Sequence, residues 1–178
     1  GAHVYRYEGG GMMANSGCSV KFVGGDRGRF TAAHVEAAIG NAADVHQART
    51  RLVNIENTVN RGGGAVWELE DVKRIRQLCD ERGLALHMDG ARIFNALAVT
   101  GERPAEWGAV FHSISICLSK SLGAPVGSVL TGPRDFIREA RRVRKRFGGG
   151  MRQAGIIAAA GLYALEHHLH RLHDDHTR

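Results

Sequence analysis

The sequence of 178 residues has few cysteines and no long apolar stretch, and each absence excludes a class of protein. Cys18, Cys79 and Cys117 are odd in number and widely spaced, without a CxxC or His-Cys pattern. This spacing favours free thiols in a reducing compartment, with the cytoplasm as the expected location, over a disulfide framework or a zinc site. No uncharged apolar run is long enough to span a bilayer. No charged-then-apolar leader follows Gly1, so no signal peptide is predicted.

What the sequence does have is a net charge of +6, much of it in one segment. The basic residues of this segment are Arg138, Arg141, Arg142, Arg144, Lys145 and Arg146. A basic helix can contact phosphate backbones, so a nucleic-acid-binding module is one alternative. The segment lacks interleaved aromatic residues and a base-reading motif, which makes nucleic acid an unfavoured partner. A solvated helix face, or a face that meets an anionic cofactor or a second subunit, also explains the charge.

Short apolar runs alternate with helical patterns, without internal repeats or low-complexity linkers, and this predicts an α/β layer architecture. The predicted strands are 51–56, 84–88, 113–117 and 126–130, and the predicted helices are 31–40, 68–82, 133–147 and 151–172. The clearest helix is 68–82, which Gly83 ends. Its predicted apolar face consists of Leu69, Val72, Ile75 and Leu78.

Lys120 follows a predicted strand, at the kind of edge where α/β sheets place their ligands. A neutral lysine amine can attack an aldehyde to form a Schiff base. The flanking Ser119 and Ser121 could supply hydroxyl donors to a phosphate. An ordinary solvated loop lysine is the simpler interpretation, and the residue alone does not decide between them.

Asp89 also follows a predicted strand, with Arg92 three residues further on. An enzyme that uses pyridoxal 5'-phosphate (PLP) needs an acid beside the pyridine nitrogen, so that the protonated ring can withdraw electrons. An ion pair between Asp89 and Arg92 that caps the turn is the structural alternative, and the two interpretations are compatible.

Longer stretches of the sequence carry a family resemblance. LHMDGARIFNA, SICLSKSLGAPVGSVL and FGGGMRQAGIIAAAGLYAL resemble the low-specificity L-threonine aldolases, which are fold-type I PLP enzymes of the aspartate-aminotransferase-like superfamily. HVYRYEGGG and RTRLVNIENT are similar as well, in the same order, so the resemblance covers essentially the whole chain. It implies an α/β large domain with a mostly parallel sheet and flanking helices. Residues 1–178 would be the central part of that PLP-binding domain, incomplete at both ends.

The resemblance implies roles at matching positions. Lys120 matches the Schiff-base lysine, and Asp89 matches the partner of the pyridine nitrogen. Arg92 matches a residue beside the cofactor and substrate. His3 matches the histidine that stacks over the pyridine ring, and His46 a second histidine near the substrate hydroxyl. Lys120, His3 and His46 are therefore the expected catalytic residues, although either histidine could instead be a surface residue.

Other basic and acidic residues are implied at the edge of the same site. Lys145 and Arg152 flank the glycine turn Gly148–Gly150 and are similar to residues that approach the phosphate from a neighbouring subunit. Glu8 is expected in the site too. The five C-terminal histidines are expected at a solvated end of the molecule, and no metal site is predicted. These are His167, His168, His170, His173 and His176.

The reaction implied is the PLP-dependent cleavage of a β-hydroxy-α-amino acid. For L-threonine or L-allo-threonine the products would be glycine and acetaldehyde, in a homodimer or homotetramer. A general base near neutral pH suits this chemistry, and imidazole titrates there.

Two local departures from the family and two missing segments weigh against this expectation. Ser121 stands where glycine is usual, and Val59 stands where histidine is common. The N-terminal Gly-Thr-type turn that holds the phosphate and the small C-terminal domain with its carboxylate-binding arginine are both outside this sequence. A catalytically silent fragment that associates with a complete subunit through Gly148–Arg152 is therefore a further alternative.

Overall fold

The computed structural model describes residues 1–177 and contains two compact units, Gly1–Asp89 and a second that begins at Gly90. Each unit combines strands with helices, which confirms the predicted α/β fold class. The three cysteines are free thiols, as the spacing predicts. No helix within residues 1–177 has both the length and the apolar character to cross a lipid bilayer.

The first unit contains two strands paired in parallel. Its elements are α1 (His3–Arg6), α2 (Gly11–Ser16), α3 (Ala32–Ala38), β1 (Leu52–Glu56), a 3-10 turn (Asn60–Gly62), α4 (Leu69–Arg82) and β2 (Ala85–Asp89). The register places Leu52 opposite Ala85 and Glu56 opposite Asp89. Both predicted strands and both predicted helices of this unit are confirmed, whereas α1 and α2 were not predicted. The two strands therefore end side by side on carboxylates.

Helix α4 is formed by the residues expected to form it, with one correction on its buried face. Gly83, at φ +63°, ends the helix in the left-handed conformation that glycine adopts without strain. Val72 and Ile75 are fully buried, but Cys79 takes the place predicted for Leu78, which is only half-buried. Side chains four residues apart lie on the same face of a helix, so the buried face continues from Ile75 to Cys79. Burial raises the pKa of the Cys79 thiol from 9.0 to about 11, Asp80 adds to the rise, and Arg76 opposes it.

An aromatic contact and a buried polar segment follow β1. The Trp67 ring is buried against the edge of Phe30, with centroids 4.9 Å apart, and its indole N–H donates to the Glu56 carbonyl at 3.0 Å. Asn57 is fully buried, and its carboxamide has no hydrogen-bond partner among the described residues. Val59 is buried as well, and a Cβ added to Gly28 would lie 2.6 Å from its Cγ1. Val59 stands where the family commonly has histidine, and its side chain packs against the Gly28 backbone.

The second unit contains an antiparallel strand pair among helices. Its elements are α5 (Ile93–Thr100), α6 (Pro104–Val110), β3 (Ser113–Cys117), β4 (Ser128–Thr131), α7 (Arg134–Arg146), α8 (Gly155–His167) and α9 (Arg171–Thr177). Ile114 pairs with Thr131 and Cys117 with Ser128. Strand β3 and the basic helix α7 match their predictions, and β4 begins two residues later than predicted because Gly127 adopts φ +116°.

The prediction of one helix over 151–172 is wrong, because the chain forms α8 and α9 with a turn from His168 to His170 between them. Trp107 of α6 is buried in this unit. Its indole N–H donates to Glu102 Oε2 at 2.8 Å, and its ring stacks on Phe111 with centroids 6.3 Å apart.

Candidate active site

The segment that carries Lys120 leaves β3 and is held down by apolar packing on both sides of the lysine. Leu122 and Ala124 are buried in a cluster with Ala164 of α8 and Leu172 of α9. Side chains packed around this cluster are Phe94, Ala98, Leu118, Leu165 and Leu169. The loop therefore has a fixed path even though it is not a regular element.

Backbone hydrogen bonds shape the same loop. The Gly123 N–H donates to the Lys120 carbonyl at 2.8 Å, which closes a tight turn, and Gly123 has φ +71°. The Ala124 N–H donates to the Leu118 carbonyl at 3.0 Å, and the Leu118 N–H donates to the Gly127 carbonyl at 3.0 Å. A residue with a side chain would be strained at position 123, so the glycine is required by the turn. These bonds set the direction in which Lys120 leaves the backbone.

The Lys120 side chain itself is exposed and has no hydrogen-bond or ion-pair partner in the described part of the chain. The side chain of its neighbour Ser121 is held by a hydrogen bond, in which Ser121 Oγ donates to Asn95 Oδ1 of α5 at 2.7 Å. Asn95 Nδ2 lies 3.3 Å from His176 Nε2. The amine therefore projects from an anchored loop and is accessible to a ligand.

The C-terminal histidines contribute to this anchoring, contrary to prediction. His168 is half-buried, its Nδ1 lies 2.5 Å from the Leu122 carbonyl, and its ring meets the Tyr163 ring edge-on at 5.5 Å. The prediction of a purely solvated histidine cluster is wrong for His168, because the turn between α8 and α9 brings its ring to the Lys120 loop. His176 is exposed but also contacts Asn95.

In the first unit the candidate residues meet at the ends of β1 and β2. Asp89 is the last residue of β2, half-buried, and its carbonyl accepts from the Asn57 N–H at 2.9 Å. Glu56, opposite it, is 7% exposed. Its Oε2 accepts from the His3 N–H at 2.6 Å and lies 3.1 Å from His3 Nδ1, while its Oε1 accepts from the Asn60 N–H at 2.9 Å. The structure thus joins His3 to the strand end through a carboxylate that sequence reasoning missed.

Two other predicted residues of the first unit lie outside this contact set. His46 is exposed, and its backbone N–H donates to Asp44 Oδ1 at 3.0 Å. Its ring makes no hydrogen bond, ion pair or ring contact among residues 1–177. Glu8 is exposed after α1. The roles expected for His46 and Glu8 stay predictions.

The candidate basic residues of the second unit lie on different elements. Arg92 is half-buried and directly precedes α5. Lys145 Nζ lies 3.4 Å from the Gly150 carbonyl, and Arg152 is exposed. A Cβ at Gly149 would lie 2.8 Å from Arg144 Cγ, so the glycine turn packs closely against the chain's own α7.

An open depression of about 500 Å³ lies on the exposed basic face of α7. Its lining residues are Arg141, Arg142, Lys145 and Arg146. These guanidinium and ammonium groups suit an anion, which is the chemistry expected of residues that approach a phosphate.

The residues present fit PLP on the chemistry of their donors. In the second unit Lys120 is an accessible, unpaired amine on an anchored loop. In the first unit Asp89 is a half-buried carboxylate at the end of a parallel strand, and the His3 imidazole is fixed by Glu56 at the end of β1. An amine, an acid for the pyridine nitrogen and a ring for stacking are what PLP requires of a protein. The α/β fold and these side chains are therefore compatible with a core that holds PLP.

Comparison with known proteins gives the family. The chain belongs to the beta-eliminating lyase family, whose profile matches residues 1–178. It is 39% identical over 181 residues to the low-specificity L-threonine aldolase of Candida albicans, covering 99% of this chain and 47% of that protein. It is 53% identical over 133 residues to the low specificity L-threonine aldolase of Escherichia coli O157:H7, covering 75% of this chain and 39% of that protein.

A solved structure agrees on the fold. Leishmania major threonine aldolase superposes with a TM-score of 0.81 at 24% identity, over 96% of this chain and 50% of that one. The chain spans about half the length of the curated relatives it matches. Beta-eliminating lyases and threonine aldolases are PLP-dependent, so the predicted family, fold and cofactor are confirmed.

Proposed function

We propose that this chain carries the PLP-attachment core of a threonine aldolase that cleaves L-threonine or L-allo-threonine to glycine and acetaldehyde. The observation that carries the proposal is Lys120, an unpaired and exposed amine on a loop fixed by buried neighbours, in a chain of the beta-eliminating lyase family. Such a reaction would belong to threonine breakdown and glycine formation.

The chain's own residues divide the work. Lys120 supplies the amine that attaches the cofactor covalently, and Asp89 supplies the carboxylate that pairs with its pyridine nitrogen. When bound, PLP withdraws the electron pair left by cleavage of the Cα–Cβ bond. His3 would stack over the pyridine ring of the cofactor. Either His3 or His46 would accept the proton of the substrate hydroxyl. Arg92 would bind an anionic group beside the cofactor, and Lys145 and Arg152 would approach the phosphate bound by a neighbouring subunit.

Reductive trapping tests the attachment. The full chain is incubated with PLP, reduced with borohydride, digested and analysed by mass spectrometry, and the adduct is expected on Lys120. Lys120→Ala should abolish the adduct and the yellow absorbance. Lys73→Ala is the matched control, because Lys73 is an exposed lysine on α4 and its loss should leave both signals intact. A folded chain without an adduct on Lys120 contradicts the proposal.

A homodimer or homotetramer in the cytoplasm is part of the same proposal. Large apolar side chains of α7, α8 and their connection are exposed, which favours association over an isolated chain. These residues are Phe136, Val143, Phe147, Met151, Ile156, Leu162 and Tyr163. The same surface supports the second candidate, a silent fragment that pairs with a complete subunit. Light scattering of the chain, alone and mixed with a full-length relative, separates the two, since only the second requires the relative for association.

A further inference from the structure

Glu56 is a buried carboxylate that none of the predicted roles explains. It is 7% exposed, at the last position of β1, and its backbone carbonyl is already occupied by the Trp67 indole N–H. Its two carboxylate oxygens receive N–H groups from the His3 backbone, the His3 ring and the Asn60 backbone. A carboxylate removed from water needs such donors, because they replace the hydrogen bonds to water that burial removes. The cluster is therefore a built polar site with a fixed geometry.

The contacts of the His3 ring define which nitrogen carries its proton. Nδ1 lies 3.1 Å from the Glu56 carboxylate, which can only accept, so Nδ1 carries the hydrogen. Nε2 lies 3.3 Å from Asn60 Nδ2, which can only donate, so Nε2 presents its lone pair. Both ring nitrogens thus specify the same neutral tautomer. The ring also lies 5.0 Å from the Tyr7 ring, which limits its rotation.

We propose that Glu56 is a positioning residue for His3, which it holds in one orientation and in the Nδ1–H tautomer, so that Nε2 is the unprotonated ring nitrogen. The inference deepens the proposed function and rests on it, since it identifies the basic atom of the histidine expected at the cofactor. A carboxylate behind a catalytic imidazole fixes tautomer and orientation in the same way in other enzymes. Glu56 would act through His3 and not on the substrate.

The tautomer can be read directly, without cofactor or activity. Long-range proton–nitrogen correlation spectra of the nitrogen-15-labelled full chain, recorded where His3 is neutral, distinguish a protonated from an unprotonated ring nitrogen. The expected spectrum has protonated Nδ1 and unprotonated Nε2. A His3 ring protonated on Nε2 in the wild-type chain overturns the proposal, whatever the variants show.

Glu56→Gln tests the cause. The donors now share the two accepting oxygens of a carboxylate, whereas a glutamine side chain has only one. The ratio of the Nδ1–H form to the Nε2–H form of His3 should therefore fall by about tenfold. Glu70→Gln is the matched control, the same change on an exposed glutamate of α4, and should leave the ratio unchanged. The Trp67 indole N–H resonance reports whether the end of β1 is still folded, because it bonds the backbone and not the side chain of Glu56. An unchanged ratio in folded Glu56→Gln contradicts the proposal.

Asn60→Ala keeps the test decisive if Glu56→Gln does not fold. This variant removes the Nδ2 contact but retains the backbone N–H that donates to Glu56. His3 should remain in the Nδ1–H form, because the carboxylate is still in place. A switch to the Nε2–H form would mean that Asn60, and not Glu56, sets the tautomer.

Adding PLP separates this inference from the proposed function. Glu56→Gln should still give the Lys120 adduct after reduction, but with an altered circular dichroism in the PLP band, because the ring expected over the cofactor is no longer held. An adduct with an unaltered band overturns the positioning role alone. A wild-type chain with the expected tautomer and no adduct overturns the proposed function alone.

Discussion

The two units hold their candidate residues by opposite means. In the first unit a buried carboxylate, Glu56, gathers N–H groups and fixes the His3 ring by hydrogen bonds. In the second unit Leu122 lies within the turn that begins at Lys120 and Ala124 directly follows that turn; both are buried, and the amine of Lys120 is left exposed. Polar anchoring specifies a proton position, whereas apolar anchoring specifies a path of the backbone and leaves the functional group unengaged. Polar anchoring suits a residue that acts as a base, and apolar anchoring suits a residue that acts as a nucleophile.

The largest expected effect comes from the apolar side of this comparison. Leu122→Ala should lower the free energy of unfolding by about 3 kcal/mol, because Leu122 is 2% exposed and its truncation leaves a cavity under the Lys120 loop. Chemical denaturation followed by circular dichroism measures this. Val99→Ala is the control, an exposed valine of α5 that should change stability by less than about 0.5 kcal/mol. Equal losses would mean that the loop is not anchored by packing.

The next effect comes from the polar side. Glu56→Ala should lower the free energy of unfolding by about 2 kcal/mol, since the N–H groups at the end of β1 lose a shared acceptor. The same denaturation experiment applies, with Glu70→Ala as the exposed counterpart. A loss no larger than that of Glu70→Ala would show that the polar cluster does not stabilise the first unit.

The buried thiol of the first unit makes a prediction about pH. The folded pKa of Cys79, about 11, exceeds its ordinary value of 9.0, so the folded state keeps a proton that the unfolded state has lost between these values. The contribution of the protonated thiol to the free energy of unfolding is complete below pH 9. As the pH rises to 11, the free energy of unfolding falls by about 1–2 kcal/mol. Denaturation of wild type and Cys79→Ala across this range measures it as a difference in slope. Cys18→Ala, at an exposed thiol, should keep the wild-type slope.

The smallest effect concerns the departure from the family beside Lys120. Ser121→Gly should lower stability by about 0.5–1 kcal/mol more than Ser119→Gly, because only Ser121 donates a side-chain hydrogen bond to Asn95. Both changes carry a similar cost in backbone freedom, so their difference isolates that bond. Indistinguishable variants would remove Ser121 from the anchoring of the loop.

The parts of the molecule that local patterns determine could be predicted. Helix α4 follows from its apolar spacing and Gly83, and β3 from a short apolar run. Lys120 and Asp89 became candidates because each follows a predicted strand. The contacts formed over long sequence separations could not. Glu56 and His3 are 53 residues apart, and His168 and Leu122 are 46 apart, so nothing local marks them as partners. One signal was available for Glu56, which is a charged residue that directly follows the apolar Ile55 at the end of β1.

The two tryptophans of the sequence fall one in each unit, and both are buried. Trp67 donates its indole N–H to a backbone carbonyl, whereas Trp107 donates to the Glu102 carboxylate. The tryptophan emission of a chain with Trp107→Phe therefore comes from Gly1–Asp89 alone, and that of Trp67→Phe from the second unit alone. The chain carries its own pair of optical reporters. Fluorescence during unfolding can show whether the polar and the apolar anchor are lost in one step or in two.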